Sequence, residues 1–256
     1  NPADQPSSSW DVVAGWYDGW SGADGSRHHR RYAIPVVLEL LGELRGRHVL
    51  DVGCGPAPLA ADVLAAGGRY SGVDLSRKLL AAGRRRYGGA GRFLHGDATR
   101  LGALPALSGA RFDAVTFLLS IQDINPLEAA VRGAAGLLRD GGAMVMLMTH
   151  PCFRVPRQSG WGWDARRRLR FRRVDSYLTR LAVPMGGDRR NRRSTTRSYH
   201  RPLGDYISAL AAAGLYVDAA REVAAPGAAA GDDALPAHRR ADEQFPLFLA
   251  LRGRKV

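Results

Sequence analysis

Between residues 48 and 149 short apolar runs alternate with helical patterns, and this rhythm constrains the fold more than any other feature of the chain. Strands are expected at 48–52, 70–74, around 92–94, at 112–119 and at 143–149. Helical spacing falls between them, near 57–66 and 76–87 and over 126–138, with the glycines of 139–142 closing the last helix. The run 112–119 is continuously apolar, as a strand buried on both faces requires. Strands that alternate with helices imply right-handed crossovers and a parallel sheet covered on both sides. The fold class is therefore α/β, with a mostly parallel sheet.

Outside this stretch the rhythm changes. Residues 1–9 are polar. Trp10, Trp16, Tyr17 and Trp20 then crowd into eleven residues, with Asp11 and Asp18 between them. Such a cluster at a domain edge serves either as a lid over a ligand or as a staple to the core. From 32 to 44, Ile34, Val37, Leu38 and Leu41 recur at helical spacing, with Pro35 in the first turn. Residues 151–202 are rich in Arg, Gly, Ser and Pro and carry Trp161, Trp163, Phe171 and Tyr177. A structureless loop of that length is out of place in a compact domain. An inserted cap after the fifth strand is expected, with a hairpin across 168–177. A helix at 203–213, a strand at 215–223 and a last strand at 246–252 bring the sheet to seven strands, and the Ala/Gly/Pro-rich 224–237 is expected to be mobile. The expected organisation is an N-terminal lid and helical segment (1–45), a cofactor-binding core (46–149), a substrate cap (150–202) and the rest of the core (203–256).

The formal charge of +13 raises nucleic acid as a partner. Yet Lys78 and Lys255 are the only lysines, and an arginine excess beside abundant Ala and Gly also fits GC-rich coding. No apolar run reaches the roughly 18 residues of a membrane-spanning helix. The first residues lack the plan of a signal peptide, and the chain does not start with Met. Cys54 and Cys152 lie far apart without metal-ligand spacing. A cytoplasmic protein with neither disulfide nor metal is expected.

The chemistry centres on Val49-Leu-Asp-Val-Gly-Cys-Gly55, where a strand runs into a glycine turn ahead of a helix. A dinucleotide fingerprint needs a third glycine where Pro58 stands. Asp51, two residues before the first glycine, would repel a pyrophosphate and suits a cofactor carrying positive charge. Asp74, 23 residues after Asp51, ends the next strand, where a carboxylate can accept both hydroxyls of a ribose. Asp97 follows the third strand, within reach of an adenine amino group.

Together with Gly72-Val-Asp-Leu-Ser76, Gly96-Asp-Ala98 and Leu137-Leu-Arg-Asp-Gly-Gly142, that stretch resembles the successive motifs of class I S-adenosylmethionine-dependent methyltransferases. The resemblance covers roughly residues 30–150 and the last two strands. It implies S-adenosylmethionine as cofactor and S-adenosylhomocysteine as product. It also implies that Gly53 and Gly55 lie under the methionine part near Asp51, that Asp74 and its neighbour Leu75 hold the ribose, that Asp97 and Ala98 flank the adenine, and that Leu119 lies near the sulfonium. Ala57 stands where the family often has a third glycine. The family's sheet has one antiparallel edge strand, here expected to be the last. A monomer or a homodimer is expected.

Methyl transfer is an in-line displacement that mainly requires alignment and exclusion of water. A base is needed only where the acceptor loses a proton, and contributes about 10²- to 10⁴-fold. No Asn-Pro-Pro-Tyr-like motif follows the fourth strand, no cysteine sits in the setting of a pyrimidine-attacking nucleophile, and no carboxylates for a catechol metal site follow the fifth strand. Asp123, His150 and His200 are expected at the carboxyl edge of the sheet, where a His–carboxylate pair could take a proton, with Tyr17 joining from the lid. The alternative is that His150 orders the turn at Pro151 and His200 caps the helix at Leu203. Residues 149–163 and 198–203 resemble a capped bacterial subgroup that includes tailoring methyltransferases of natural-product pathways. A small aromatic acceptor stacked between cap rings is expected, methylated at an indole carbon or at O or N. The rival acceptor is RNA, gripped by the basic runs 166–173 and 189–201. A third reading is a non-catalytic cofactor-binding partner protein.

Overall fold

The structure, a computed structural model, describes residues 9–22, 25–185, 196–224 and 236–256. In chain order, helix α1 (Ser9–Ser21), one π-type turn (His29–Ala33) and α2 (Ile34–Leu41) precede β1 (His48–Val52). Then follow α3 (Ala60–Ala65), β2 (Arg69–Asp74), α4 (Arg77–Tyr87), β3 (Gly91–His95), β4 (Phe112–Leu118), α5 (Leu127–Gly136) and β5 (Leu138–Thr149). The cap consists of two antiparallel ribbons, β6 (Ser159–Asp164) with β7 (Leu169–Val174) and β8 (Leu181–Pro184) with β9 (Arg197–His200). Helix α6 (Leu203–Ala212), β10 (Leu215–Val223), α7 (Pro236–Gln244) and β11 (Phe248–Lys255) complete the chain.

Seven strands form one sheet in the order β10-β11-β5-β4-β1-β2-β3. Side chains alternate across it with the period of two that strands impose. Leu50, Val52, Val115, Phe117, Met144 and Met146 pack to one face, against Leu127 and Val131 of α5 and Leu210 of α6. Val49, Ala114, Val145 and Leu147 pack to the other, against Val37, Leu40 and Leu41 of α2, Val63 of α3 and Leu80 of α4. Burial on both faces is why these strands read as unbroken apolar runs. Helix α4 starts where Ser76 caps it, its Oγ accepting from the Leu79 N–H at 3.2 Å.

Several expectations are corrected. The antiparallel strand is the last one, but it is not the edge: β11 lies between β5 and β10, and β10 takes the edge. Burial explains the choice. The first four residues of β11 are buried in succession, whereas β10 is largely exposed beyond Leu215. Helix α5 ends at Gly136, and Leu138 already pairs with Phe112. Residues 139–142 are thus an irregularity at the start of β5, with Gly141 at φ 72°, rather than a helix stop. The first cap hairpin turns at 165–168, not within 168–177. Helix α7 had no counterpart among the expected elements. Most of 224–237, and residues 189–195 of the second basic run, lie outside the described residues. Among those described, no helix is long and apolar enough to cross a membrane.

Candidate cofactor and acceptor cavities

The carboxyl ends of β1, β2, β3 and β4 surround a cavity of about 1080 Å³ of empty space, part of it open to solvent. Asp51, Gly53, Gly55, Asp74, Leu75, Asp97, Ala98 and Leu119 all line it. Its floor is the glycine turn, where Gly53 and Gly55 sit at φ 69° and 54°. Only glycine adopts such backbone freely, and a Cβ on Gly53 would stand 2.6 Å from the Ser120 Cβ. Ala57 shares the left-handed conformation at φ 64° and is fully buried, so alanine occupies a glycine-like position here. The Gly53 N–H donates to Val73 O at 2.8 Å, and the Ser120 hydroxyl donates to Val52 O at 2.6 Å, which pins the turn between strands.

Two buried carboxylates flank the floor. Asp74 accepts from the Gly55 N–H at 2.8 Å and the Ser76 N–H at 2.7 Å. Asp51 accepts from the Tyr70 hydroxyl at 2.8 Å and the Thr116 hydroxyl at 3.0 Å. Burial raises both pKa values to about 6, although these hydrogen bonds hold them down. Asp97 caps the turn Ala98–Ala103 by accepting from the Thr99 N–H at 2.8 Å, and it lines the cavity as well. The donor set fits the cofactor implied by the motifs. Four carboxylates (Asp51, Asp74, Asp97 and Asp123), a close backbone floor and no Lys or Arg among the described lining residues suit a cationic, hydroxyl-bearing ligand and not a pyrophosphate.

A second cavity, of about 1000 Å³, adjoins the first and shares Trp10, Tyr17, His29, Leu119 and Asp123 with it. Its walls are largely aromatic and apolar, with Trp16, Val13, Leu247 and Phe248 alongside the shared Trp10 and Tyr17. Helix α1 forms the roof of both. Asp11 accepts from the Ser76 hydroxyl at 2.6 Å, and Asp18 pairs with Arg86 at 2.8 Å, so α1 is tied to α4. Tyr17 meets Trp10 edge-on at 5.5 Å. Burial pushes the Tyr17 hydroxyl pKa upward, and Asp123, Asp74 and Asp51 add to it. Burial raises Asp123 to about 7, while a hydrogen bond with Ser198 and the charge of Arg201 pull it down.

Two expected bases are not brought to the cavities. The His150 Nδ1 accepts from the Cys152 N–H at 3.2 Å, so the ring proton is on Nε2, which donates to Glu222 at 2.8 Å. His150 therefore orders its own turn and ties it to β10, and it lines neither cavity. His200 donates from Nε2 to the Tyr177 carbonyl at 2.7 Å and lines neither. The hydroxyl of Tyr177, not His200, accepts from the Leu203 N–H at 2.9 Å. The cap rings also differ from expectation. Trp161 lies under Arg170 at 4.1 Å, Arg172 at 5.3 Å and Arg154 at 5.4 Å, and Arg170 pairs with Asp242 at 3.4 Å. Part of the basic run 166–173 is thus spent inside the cap. Of the described cap residues only Met185, Thr196 and Tyr199 reach a cavity.

Sequence reading missed His29, which is buried and lines both cavities. Its Nδ1 accepts from the Ser26 N–H at 3.2 Å, and burial lowers its pKa to about 4, so the ring is neutral. The available signal was the pair His28-His29 just ahead of the helical pattern, which carries no motif. Among the described residues no group of three or more His, Cys, Asp or Glu is arranged to hold a metal ion.

Sheet order and cavity together define a Rossmann-like domain with a candidate cofactor site at the carboxyl edge of its first strands. Residues 50–146 match the family model described as a methyltransferase domain, which supports the resemblance to class I S-adenosylmethionine-dependent methyltransferases. The chain is 29% identical over 131 residues to a ubiquinone biosynthesis O-methyltransferase of Bordetella avium, covering 51% of this chain and 54% of that protein. A malonyl-[acyl-carrier protein] O-methyltransferase of Pseudescherichia vulneris is 32% identical over 121 residues, covering 47% of this chain and 46% of the relative. The chain thus spans about half the length of the curated relatives it matches. The crystal structure of an S-adenosylmethionine-dependent methyltransferase from Mesorhizobium loti superposes with a TM-score of 0.69 at 24% identity, covering 91% of this chain and all of that one, which speaks for the fold.

Proposed function

We propose that this chain transfers a methyl group from S-adenosylmethionine to a small aromatic acceptor seated in the second cavity. The observation that carries this reading is the adjacency of the two cavities across Trp10, Tyr17, His29, Leu119 and Asp123. When bound, the cofactor supplies an electrophilic methyl group on a cationic sulfur. Asp74, with Leu75, holds the ribose hydroxyls, Asp97 and Ala98 flank the adenine, and Gly53, Gly55 and Asp51 hold the methionine part. Helix α1 excludes water over the junction, and Tyr17 and Leu119 align the acceptor with it. With the cofactor bound, the new bond would form from the acceptor's electron pair as the carbon–sulfur bond broke, those electrons staying on sulfur. A proton released by the acceptor goes to Asp123, whose pKa of about 7 suits a base working near neutrality. His150 and His200 have no part in this scheme.

The acceptor atom is a carbon, as at an indole ring, or an oxygen or nitrogen. The names of the two relatives, both O-methyltransferases, favour the oxygen branch. In this reading 46–149 and 203–256 form the core, 1–45 the lid, and 150–202 a cap that reaches the acceptor through few residues. The test is a screen of phenols, indoles and amines with methyl-labelled cofactor, run beside calorimetry with S-adenosylhomocysteine. Saturable product binding and label in at least one aromatic acceptor are expected. Absence of product binding would overturn the reading.

A further inference from the structure

One wall of the first cavity is irregular backbone. Leu119, Ser120, Asp123, Ile124 and Asn125 line it in the segment after β4, where Ile121–Asp123 forms a single short helical turn. Backbone of this kind keeps one shape only where neighbours take up its polar groups. The core pins its first half: the Leu119 N–H donates to Leu147 O at 2.8 Å, and the Ser120 hydroxyl donates to Val52 O at 2.6 Å.

The cap pins its second half. Ser198 of β9 shares a hydrogen bond with the Asp123 side chain. Arg201, directly after β9, donates from Nη2 to Ile124 O at 2.7 Å and to Asn125 Oδ1 at 3.1 Å. Its guanidinium also lies over the Tyr199 ring, 5.2 Å from the centroid, and Tyr199 itself lines the first cavity. A guanidinium suits this place, because its planar fork reaches a carbonyl and a side-chain oxygen together while its face rests on a ring. Arg201 is only 6% exposed, and a buried cation is costly unless its surroundings use it. Here the use is to fix residues 124–125 and Tyr199 against each other. Among the described residues β9 pairs with β8 and with no strand of the seven-stranded sheet, so its junction with this wall is made by side chains and not by a ladder.

We infer that β9 and Arg201 complete the cofactor site: Arg201 is a positioning residue that holds Ile124, Asn125 and Tyr199 as one wall, so that cofactor binding and the docking of β9 reinforce each other. The inference rests on the proposed placing of S-adenosylmethionine in the first cavity. Linkage makes the effect reciprocal: whatever the docked strand adds to cofactor affinity, bound cofactor returns as protection of the strand. The other ribbon of the cap, β6 with β7, lines neither cavity and takes no part.

The experiment uses the whole chain, with and without saturating S-adenosylhomocysteine, and its first arm needs no variant. Hydrogen exchange read by mass spectrometry should show the amides of 197–201 slowing by about fivefold or more on saturation, together with those of 119–125, while those of 159–174 stay within about twofold. In the second arm, calorimetry should find affinity for S-adenosylhomocysteine weaker by about fivefold or more in Arg201→Met, and bound ligand should no longer protect 197–201 in that variant. Arg201→Lys, which keeps the charge and one donor, should bind more tightly than Arg201→Met. Smaller slowing at 197–201 in the wild type, equal slowing at 159–174, a smaller loss in Arg201→Met, or no recovery in Arg201→Lys would overturn the inference. Should Arg201→Met fail to fold, the first arm decides. A wild-type chain that does not bind S-adenosylhomocysteine would instead strike the cofactor assignment, so the two failures are distinguishable.

Discussion

The two adjoining cavities are built in opposite ways. The cofactor cavity is lined by successive strand ends of one sheet, each with its polar residue at a similar position: Asp51 in β1, Asp74 at the end of β2, Asp97 beyond β3. The acceptor cavity gathers α1, the turn at His28 and His29, the turn after β4, the end of β5, the flank of β8 and β9, and the start of β11. One is a repeated local device, and the other is an assembly of distant segments. Variation in sequence therefore acts on them differently. A change in the first alters a motif, whereas a change in the second can come from almost any insertion that shifts a roof or wall.

The sharpest way to break this contrast is Asp74→Ala. The substitution leaves the Gly55 and Ser76 N–H groups without their acceptor and removes the proposed ribose contact. Calorimetry should show S-adenosylhomocysteine affinity falling by roughly 100-fold or more, in keeping with the loss of charge-assisted bonds. An affinity within threefold of wild type would mean that the strand-end carboxylates are only structural.

Acidity separates the cavities next. Asp51 and Asp74 titrate at about 6 in the folded chain. Both values lie above the ordinary carboxylate range, so the sign is that of a folded state that prefers the proton. Their cost to stability is full above pH 6, shrinks as the pH falls through 6 and is gone only below the ordinary value of 3.8, so the apo chain loses none of its stability to them on mild acidification. Cofactor binding runs the other way, because a cationic ligand needs the ionised forms. Affinity for S-adenosylmethionine should drop between pH 7 and pH 5, by up to about tenfold per pH unit for each protonated carboxylate. A flat profile in titrations over that range would show that neither group contacts the cofactor.

The cap offers a control that touches neither cavity. Arg170→Gln removes the cation over Trp161 and leaves the nearly buried Asp242 without its partner. A loss of about 1–3 kcal/mol in unfolding free energy is expected by denaturant titration, with cofactor affinity unchanged. Weakened cofactor binding would show that the hairpin communicates with the site. The smallest effect is expected for His150→Gln. Its bonds to Cys152 and Glu222 stabilise a turn by about 1 kcal/mol. Methyl transfer should stay within about twofold of wild type, and a loss beyond tenfold would restore His150 as a base.

Much of the cofactor side was legible before any tertiary structure was known. Strand ends are locations that the chain marks for itself, since an apolar run that stops at Asp51-Val52-Gly53 places the carboxylate and the turn at the sheet edge without further information. All eight residues assigned to the cofactor from the motifs line one cavity. The acceptor side was legible only in part. Tyr17 and Asp123 reach the junction, but His150 and His200 do not, although all four sit at plausible positions along the chain. A residue just past a strand can turn to either side, and the choice depends on what pairs with that strand. Here β11 enters between β5 and β10, with the His150 N–H held by Leu247 O at 2.9 Å, and the ring finds Glu222 on β10.

The aromatic cap was misread for a related reason. Trp161 has the composition of a stacking wall, but three arginines from its own hairpin and the segment before it claim the ring. The rings that do wall the acceptor cavity come from α1 and from Phe248, at opposite ends of the sequence.

By itself the sequence determined the α/β alternation, the glycine floor and the carboxylates of the cofactor cavity, because each depends on periodicity or backbone geometry over a few neighbouring residues. Only the tertiary structure decided the place of β11 in the sheet, the neutral His29 at the junction of the cavities, and the placing of Gln122 and Asp123 along the second cavity. Those features depend on which distant side chains arrive, and on which of them find partners first.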